Sequence, residues 1–194
     1  NYDDSRLIGL EILDTDNKFL LINVYMPCSS SNNIDEFLYY LCKIDSIVTD
    51  TDTAYSMVMG DFNANLTADD NGVVNQLFGK SLLSFCERNN LLCSDFRLLD
   101  KQKSYSFVSS AHGSTSWLDH CMTTASMHNL VNDIHIDYSY VSSDHLPMCI
   151  KLDTNLTKTS IPEHKQGPNL GLRVNWNKLS KEDINTYTSN TGEL

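Results

Sequence analysis

The sequence predicts an α/β sandwich, and three features carry that prediction. Two β-rich runs open the chain around a short polar loop, a helix-period segment leads into a short apolar strand, and the second half strings short strand candidates close together. Strands alternating with helices build layers in which helices cover sheets, and closely spaced short strands suit a sandwich.

Taken in order, residues 6–13 and 19–26 flank Asp14-Thr15-Asp16-Asn17-Lys18 and read as a β-hairpin. In the second run, period 2 puts Leu21, Asn23 and Tyr25 on one face and Ile22, Val24 and Met26 on the other. Asn23 and Tyr25 therefore emerge together just before Pro27 ends the strand. A tyrosine at that position is equally an ordinary half-buried strand residue. Ile34, Phe37, Leu38, Leu41, Ile44, Ile47 and Val48 recur at steps of three and four, which predicts a packing helix of about four turns. Tyr55 to Met59 is a continuous apolar run that stops at Gly60-Asp61-Phe62-Asn63. Residues 64–78 form a polar excursion of the length typical of functional or mobile loops. Leu82, Leu83, Phe85 and Cys86 predict a second helix over residues 81–89, ended by Asn89-Asn90, and strands are expected at 91–93, 104–108, 116–122, 134–140 and 148–152.

From residue 154 the composition shifts to Thr, Asn, Pro and Gly, the mark of a linker. Beyond it, Ser180 with Asp183 three residues on resembles a capping box opening a short helix. The domain is therefore placed at residues 1–153, with 154–194 as a linker and the start of a downstream segment. The chain opens on Asn1 and runs at once into a strand-like pattern, which reads as a fragment with an upstream neighbour.

Composition narrows the function. The formal charge is −11; residues 1–153 carry 9 Lys and Arg against 21 Asp and Glu, and residues 154–194 carry 5 against 4. No basic stripe is visible, so any nucleic-acid role must work through a local site, a divalent cation, or basic regions elsewhere. The six cysteines form no C-x-x-C pair, and those in apolar runs, Cys42 and Cys149 among them, read as reduced core thiols. No apolar run approaches the ~20 residues of a membrane span.

The chemistry-bearing residues cluster at predicted strand ends. Asp61 and Asn63, two residues apart after a glycine, aim a carboxylate and a carboxamide at one small volume, although Asp and Asn also end strands simply by bonding their own backbone. Asp119 sits in Ser116-Trp117-Leu118-Asp119-His120, and Asp144 and His145 sit in Ser142-Ser143-Asp144-His145-Leu146-Pro147. Asp144 and His145 can converge only if that segment is a loop, since neighbours in a strand point to opposite faces. Asp119 can then orient His145 and raise its basicity, while alternation turns His120 away from Asp119. Phosphodiester hydrolysis needs an activated water, positive charge or dipoles at the phosphoryl oxygens, and help for the leaving oxygen. These groups could supply all three, provided that Asp61 lies within about one bridging water of the His145 ring.

Gly60-Asp61-Phe62-Asn63, Ser116-Trp117-Leu118-Asp119-His120 and Ser143-Asp144-His145-Leu146-Pro147, with Asn23-Val24-Tyr25-Met26-Pro27 upstream, resemble the endonuclease/exonuclease/phosphatase superfamily. Within it they are most like the apurinic-type endonuclease domain of LINE-like non-LTR retrotransposons. The resemblance implies a four-layered α/β sandwich of the deoxyribonuclease-like type, missing its N-terminal strands. It implies metal-dependent hydrolysis of DNA phosphodiesters with Mg²⁺ or Mn²⁺, an intracellular setting with the nucleus as candidate compartment, and a reverse transcriptase downstream in the parent polypeptide. By position, Tyr25 would contact the scissile phosphate, and Asp61 would activate water or manage the leaving group's proton. Asn63 would stabilise the phosphoryl group, and Asp144 would help hold the metal. His145, oriented by Asp119, would bind phosphate or act as acid or base. The family's metal-binding Glu and an early Asn have no counterpart here, so impaired activity is expected, and Trp117 stands where a basic residue is common, which removes a basic DNA contact there. A phosphoesterase acting on a non-nucleic-acid phosphate and a non-catalytic remnant are the competing readings.

Overall fold

The computed structural model describes residues 2–13, 17–68, 74, 76–140 and 142–154. Except for Thr154, the linker and the tail read from the sequence lie outside them. Strands β1 (Tyr2–Asp4), β2 (Leu7–Leu13) and β3 (Lys18–Tyr25) run antiparallel in that order. Helix α1 (Ile34–Thr51) then carries the chain to β4 (Tyr55–Asp61), which pairs parallel with β3. A parallel neighbour demands such a crossover. After α2 (Leu77–Arg88) come β5 (Leu92–Cys93), α3 (Ser94–Leu98), the two-residue strands β6 (Phe107–Val108) and β7 (Thr115–Ser116), and β8 (Asp119–Thr123). A short α4 (Ala125–His128) leads to the hairpin of β9 (Val131–Ile136) and β10 (Met148–Leu152). The main sheet has the order β1-β2-β3-β4-β8-β5.

Alternation along the strands sorts two cores. Leu20, Ile22, Val24, Val58 and Met122 face α1 and α2, whose Phe37 and Phe78 rings meet at 4.2 Å. Burying each such side chain contributes about 1.5–3 kcal/mol, which is what holds the helix layer on the sheet. On the opposite face Phe19, Met57 and Cys121 meet Val131, Met148, Ile150 and Leu152 of the β9–β10 hairpin. The described residues thus supply a helix layer, a mixed sheet and a second small sheet, the expected α/β sandwich.

The elements differ from the sequence reading in instructive places. Helix α1 runs 18 residues rather than four turns, stopping where Asp52 turns left-handed at φ 45°. Helix α2 starts at Leu77, a turn earlier than its apolar periodicity suggested. The strand expected over 116–122 is broken at Trp117-Leu118 because the buried Ser106 Oγ accepts both the Leu118 N–H (3.0 Å) and the Asp119 N–H (2.9 Å). Cys42 and Cys149 correct the thiol reading: all six cysteines are free, but these two are exposed, on the outer side of α1 and of β10. Among the described residues no helix is long and apolar enough to cross a membrane.

Candidate active site

The site is built by register. Tyr25 pairs with Asp61 across β3 and β4, and Asp61 pairs with Asp119 across β4 and β8, so three strand positions line up side by side. They share the face that carries Met57 and Cys121, beyond the reach of the β9–β10 hairpin. The sheet face is therefore apolar and covered at one end, polar and open at the other. Gly60 makes this alignment possible: its φ is +134°, and a Cβ there would lie 2.1 Å from the Val24 carbonyl oxygen. Only glycine allows β4 to approach β3 so closely.

Beyond Asp61 the chain turns tightly. Asn63, at φ 48°, donates its backbone N–H to Asp61 Oδ1 at 2.8 Å. Its side-chain amide donates to Asp61 Oδ2 at 3.2 Å and to the Met26 carbonyl at 2.9 Å. Asn63 thus orients Asp61 directly. The loop predicted around Asp144 is present and is stitched to its neighbours: Val108 N–H donates to the Asp144 carbonyl, Leu146 N–H to the Ser106 carbonyl, and Asp137 N–H to the Pro147 carbonyl. Those bonds aim the His145 ring across the sheet end, where Phe107 packs on it at 5.0 Å.

His145 Nδ1 lies 2.8 Å from Asp119 Oδ2, and Nε2 lies 3.7 Å from Asp61 Oδ2. The first is a hydrogen bond; the second is too long for one and leaves a gap of the size a bridging water or a phosphoryl oxygen could fill. The side chains of Asp61, Asp119 and His145 are 12%, 17% and 30% exposed, open enough for a small group. A cleft of ≈ 350 Å³ is lined by Asp119 and His145 and, further out, by Asn23, Met59, Tyr140 and Met148.

Electrostatics sets the two groups against each other. Burial pushes the Asp61 pKa up; the Asn63 N–H pulls it down, Asp119 adds repulsion, His145 and His120 pull it down, and the balance stays above the ordinary carboxylate value. Burial pushes His145 down, but the bond to Asp119 and the charges of Asp119, Asp61 and Asp144 outweigh it and hold the imidazole above its ordinary value. The arrangement therefore sets a carboxylate and an imidazole, each of raised proton affinity, across from one another, a pair suited to proton transfer.

Of the residues singled out in the sequence, Asp61, Asn63, Asp119 and His145 come together. Ligand atoms of Asp61, Asp119 and His145 lie within 4.8 Å of one another. Tyr25 stands at the rim, 55% exposed, with the Arg6 guanidinium over its ring. Asp144 is exposed beside His145 and is not part of that three-residue cluster. Trp117 is buried against Phe96, away from any surface a substrate could reach. Ser106, which sets the start of β8, and the buried Asp95 were not read from the sequence; His120, read only as facing away from Asp119, is buried and bonded to Asp95 behind the sheet. A histidine inside a strand must find buried partners, which is a signal, but those partners lie far along the chain.

A family model described as Endonuclease-reverse transcriptase matches residues 19–149. No match is found among curated proteins. Solved structures do match. The endonuclease domain of TRAS1, a telomere-specific non-LTR retrotransposon, aligns with TM-score 0.61 at 17% identity over 77% of this chain and 64% of its own. The 3' phosphatase NExo from Neisseria, bound to a product DNA hairpin, aligns with TM-score 0.61 at 17% identity over 78% of this chain and 66% of its own. The catalytic domain of Xenopus laevis APE2 aligns with TM-score 0.60 at 17% identity over 77% and 55%. The chain spans less than two thirds of the length of each of these structures and shares their fold.

Proposed function

Because the chain belongs to the endonuclease-reverse transcriptase family, we propose that it hydrolyses phosphodiester bonds with a divalent metal, and that its substrate is DNA, nicked within the strand. The observation that carries this reading is the convergence of Asp61, Asp119 and His145 at one strand-end cluster, with His145 Nε2 3.7 Å from Asp61 Oδ2.

The roles follow from the environments. Asp119 accepts the Nδ1–H of His145 and stabilises the protonated ring, so that Nε2–H is presented to a phosphoryl oxygen. Asp61, with its raised proton affinity, takes the proton from the attacking water. Asn63 keeps the Asp61 carboxylate in position and lies next to the phosphoryl group, while the exposed Tyr25 hydroxyl donates to the scissile phosphate. The donor set suits a hard cation: carboxylate oxygens dominate it, and the crowding of Asp61 by Asp119 is a charge imbalance that a cation relieves. Asp144, together with the acidic rim of Asp61 and Asp119, would hold Mg²⁺ or Mn²⁺, which would supply positive charge to the phosphoryl oxygens. Three carboxylates make a sparse ligand set, which supports slow turnover. A downstream reverse transcriptase in the parent polypeptide fits the family description.

Incubating supercoiled plasmid with excess protein and Mg²⁺ tests the reading. Nicks that disappear with a chelator and with Asp61→Ala are the expected result; no nicking even at enzyme excess overturns it. The acidic balance of −11 favours a second reading, a phosphoesterase acting on a non-nucleic-acid phosphate. Release of phosphate from small esters without nicking would select it.

A further inference from the structure

Behind the site, on the face of β8 opposite Asp119, His120 is completely buried between β8 and the segment that follows Asp61. Its Nε2 lies 2.7 Å from the Ala64 carbonyl, and its Nδ1 lies 2.9 Å from Asp95 Oδ2. Asp95 is equally buried, and its other oxygen accepts the Cys121 N–H at 2.9 Å. A carbonyl can only accept, so Nε2 carries its hydrogen and the ring is fixed at both ends. Phe62, Ala64 and Leu66 all point into the helix-side core, but they belong to no strand and lack a ladder to hold them. Near the site the segment is tied to β8 by the Phe62 N–H on the Leu118 carbonyl and by His120. His120 is also the cross-strand partner of Gly60, so one residue spans both ends of the turn that carries Asp61 and Asn63.

We propose that His120, held in place by Asp95, is a positioning residue that clamps the 60–64 turn and so fixes the Asp61–Asn63 pair for reaction. A metal role for the same cluster does not compete. Cys93, Asp95 and His120 bring possible ligand atoms within 4.8 Å, but both ring nitrogens are taken. The Cys93 thiol, pushed far up by burial and by Asp95, stays protonated and donates to Asp95. His120 does not reach the open side of the sheet and touches no substrate.

As a statement about catalysis this inference rests on the phosphodiesterase reading; as a statement about the turn it stands alone, and the test separates the two. Amide hydrogen exchange reads the turn. In His120→Phe, the Asn63 amide, which is bonded to Asp61, exchanges at least tenfold faster while the β3 amides keep their protection, and kcat falls at least tenfold with KM changed less than threefold. His120→Gln, whose amide can donate to the Ala64 carbonyl, recovers part of both. An unchanged Asn63 amide in His120→Phe overturns the proposal, and so does uniform loosening of every amide, which would mark a merely structural histidine. A loosened turn in a chain without phosphodiesterase activity upholds the clamp and overturns the catalytic reading. If His120→Phe does not fold, the unmodified chain still decides. The His120 Nε2–H and the Asn63 amide open together if the clamp exists, and opening constants more than tenfold apart overturn it.

Discussion

Asp61 is held where its negative charge is penalised, and that has a consequence for stability. Burial and the neighbouring Asp119 raise its pKa in the folded state, so the unfolded chain gives up this proton more readily. As pH rises from about 3.8 through the folded value, the contribution of Asp61 to stability declines, and it stays low above that value. His145 acts in the same sense: its raised pKa gives a stabilisation that is complete below about 6.5 and is lost as pH rises through the folded value. Asp61→Asn keeps the shape and removes the charge. It should raise neutral-pH stability by about 1 kcal/mol, as substitutions at strained sites often do, while abolishing hydrolysis. Denaturant midpoints for both proteins across the pH range check this, and the gain should shrink as pH falls through the folded-state value of Asp61, where the carboxyl takes up its proton. Gly60 makes the opposite prediction. Gly60→Ala puts a methyl against the Val24 carbonyl at a φ of +134°, and should destabilise by about 3 kcal/mol or prevent folding, measurable as a lower unfolding midpoint. At this scale the sequence was legible wherever polar residues stand close together in the chain. Asp61 with Asn63, and Asp144 with His145, are neighbours along the chain. Asp95 and His120 were not legible as a pair, since 25 residues separate them and each alone is unremarkable.

Elements were legible in proportion to their length. The period of α1 and the alternation of β3 stand out because many residues repeat one pattern, and the observed burial follows both except at Leu38, which is exposed. Short elements are decided by single polar groups that no period reveals. Helix α3 occupies five residues and carries the buried Ser94 and Asp95, with Ser94 Oγ 2.7 Å from both Thr123 Oγ1 and His128 Nδ1. An amphipathic pattern cannot announce a helix whose inward face is polar. The break between β7 and β8 is likewise the work of one hydroxyl, Ser106, holding two N–H groups in a fully buried place. Ser106→Ala leaves both donors without a partner, which should cost about 1–3 kcal/mol. Because one of them is the N–H of Asp119, the start of β8 should shift as well. A denaturant series gives the stability loss, and the His145 ring signals in NMR should move with the loss of alignment to Asp119; unchanged ring signals would show that Ser106 holds the strand but not the site.

The molecule as a whole is built against strong electrostatic attraction to a polyanion. It carries 25 acidic residues against 14 Lys and Arg, and some of the described cations already have partners. Arg6 is bonded to Glu36 at 2.8 Å while lying over Tyr25, and Lys103 pairs with Asp100. Nucleic-acid affinity that comes from lysine and arginine releases one set of counterions per phosphate neutralised, and log K falls with log[salt] at about −0.9 per contact. A domain with 9 Lys and Arg against 21 Asp and Glu over residues 1–153 can neutralise few phosphates directly. If it acts on DNA, the bridge between its acidic rim and the backbone must be a divalent ion, and monovalent salt should matter little. For duplex binding by fluorescence anisotropy at fixed Mg²⁺, with Asp61→Asn used to prevent cleavage, the expected slope between roughly 50 and 200 mM KCl is no steeper than about −2, and binding is lost when the divalent ion is chelated. A slope near −5 that survives chelation would require a basic surface outside the described residues, and the acidic rim would then contribute chemistry without contributing affinity.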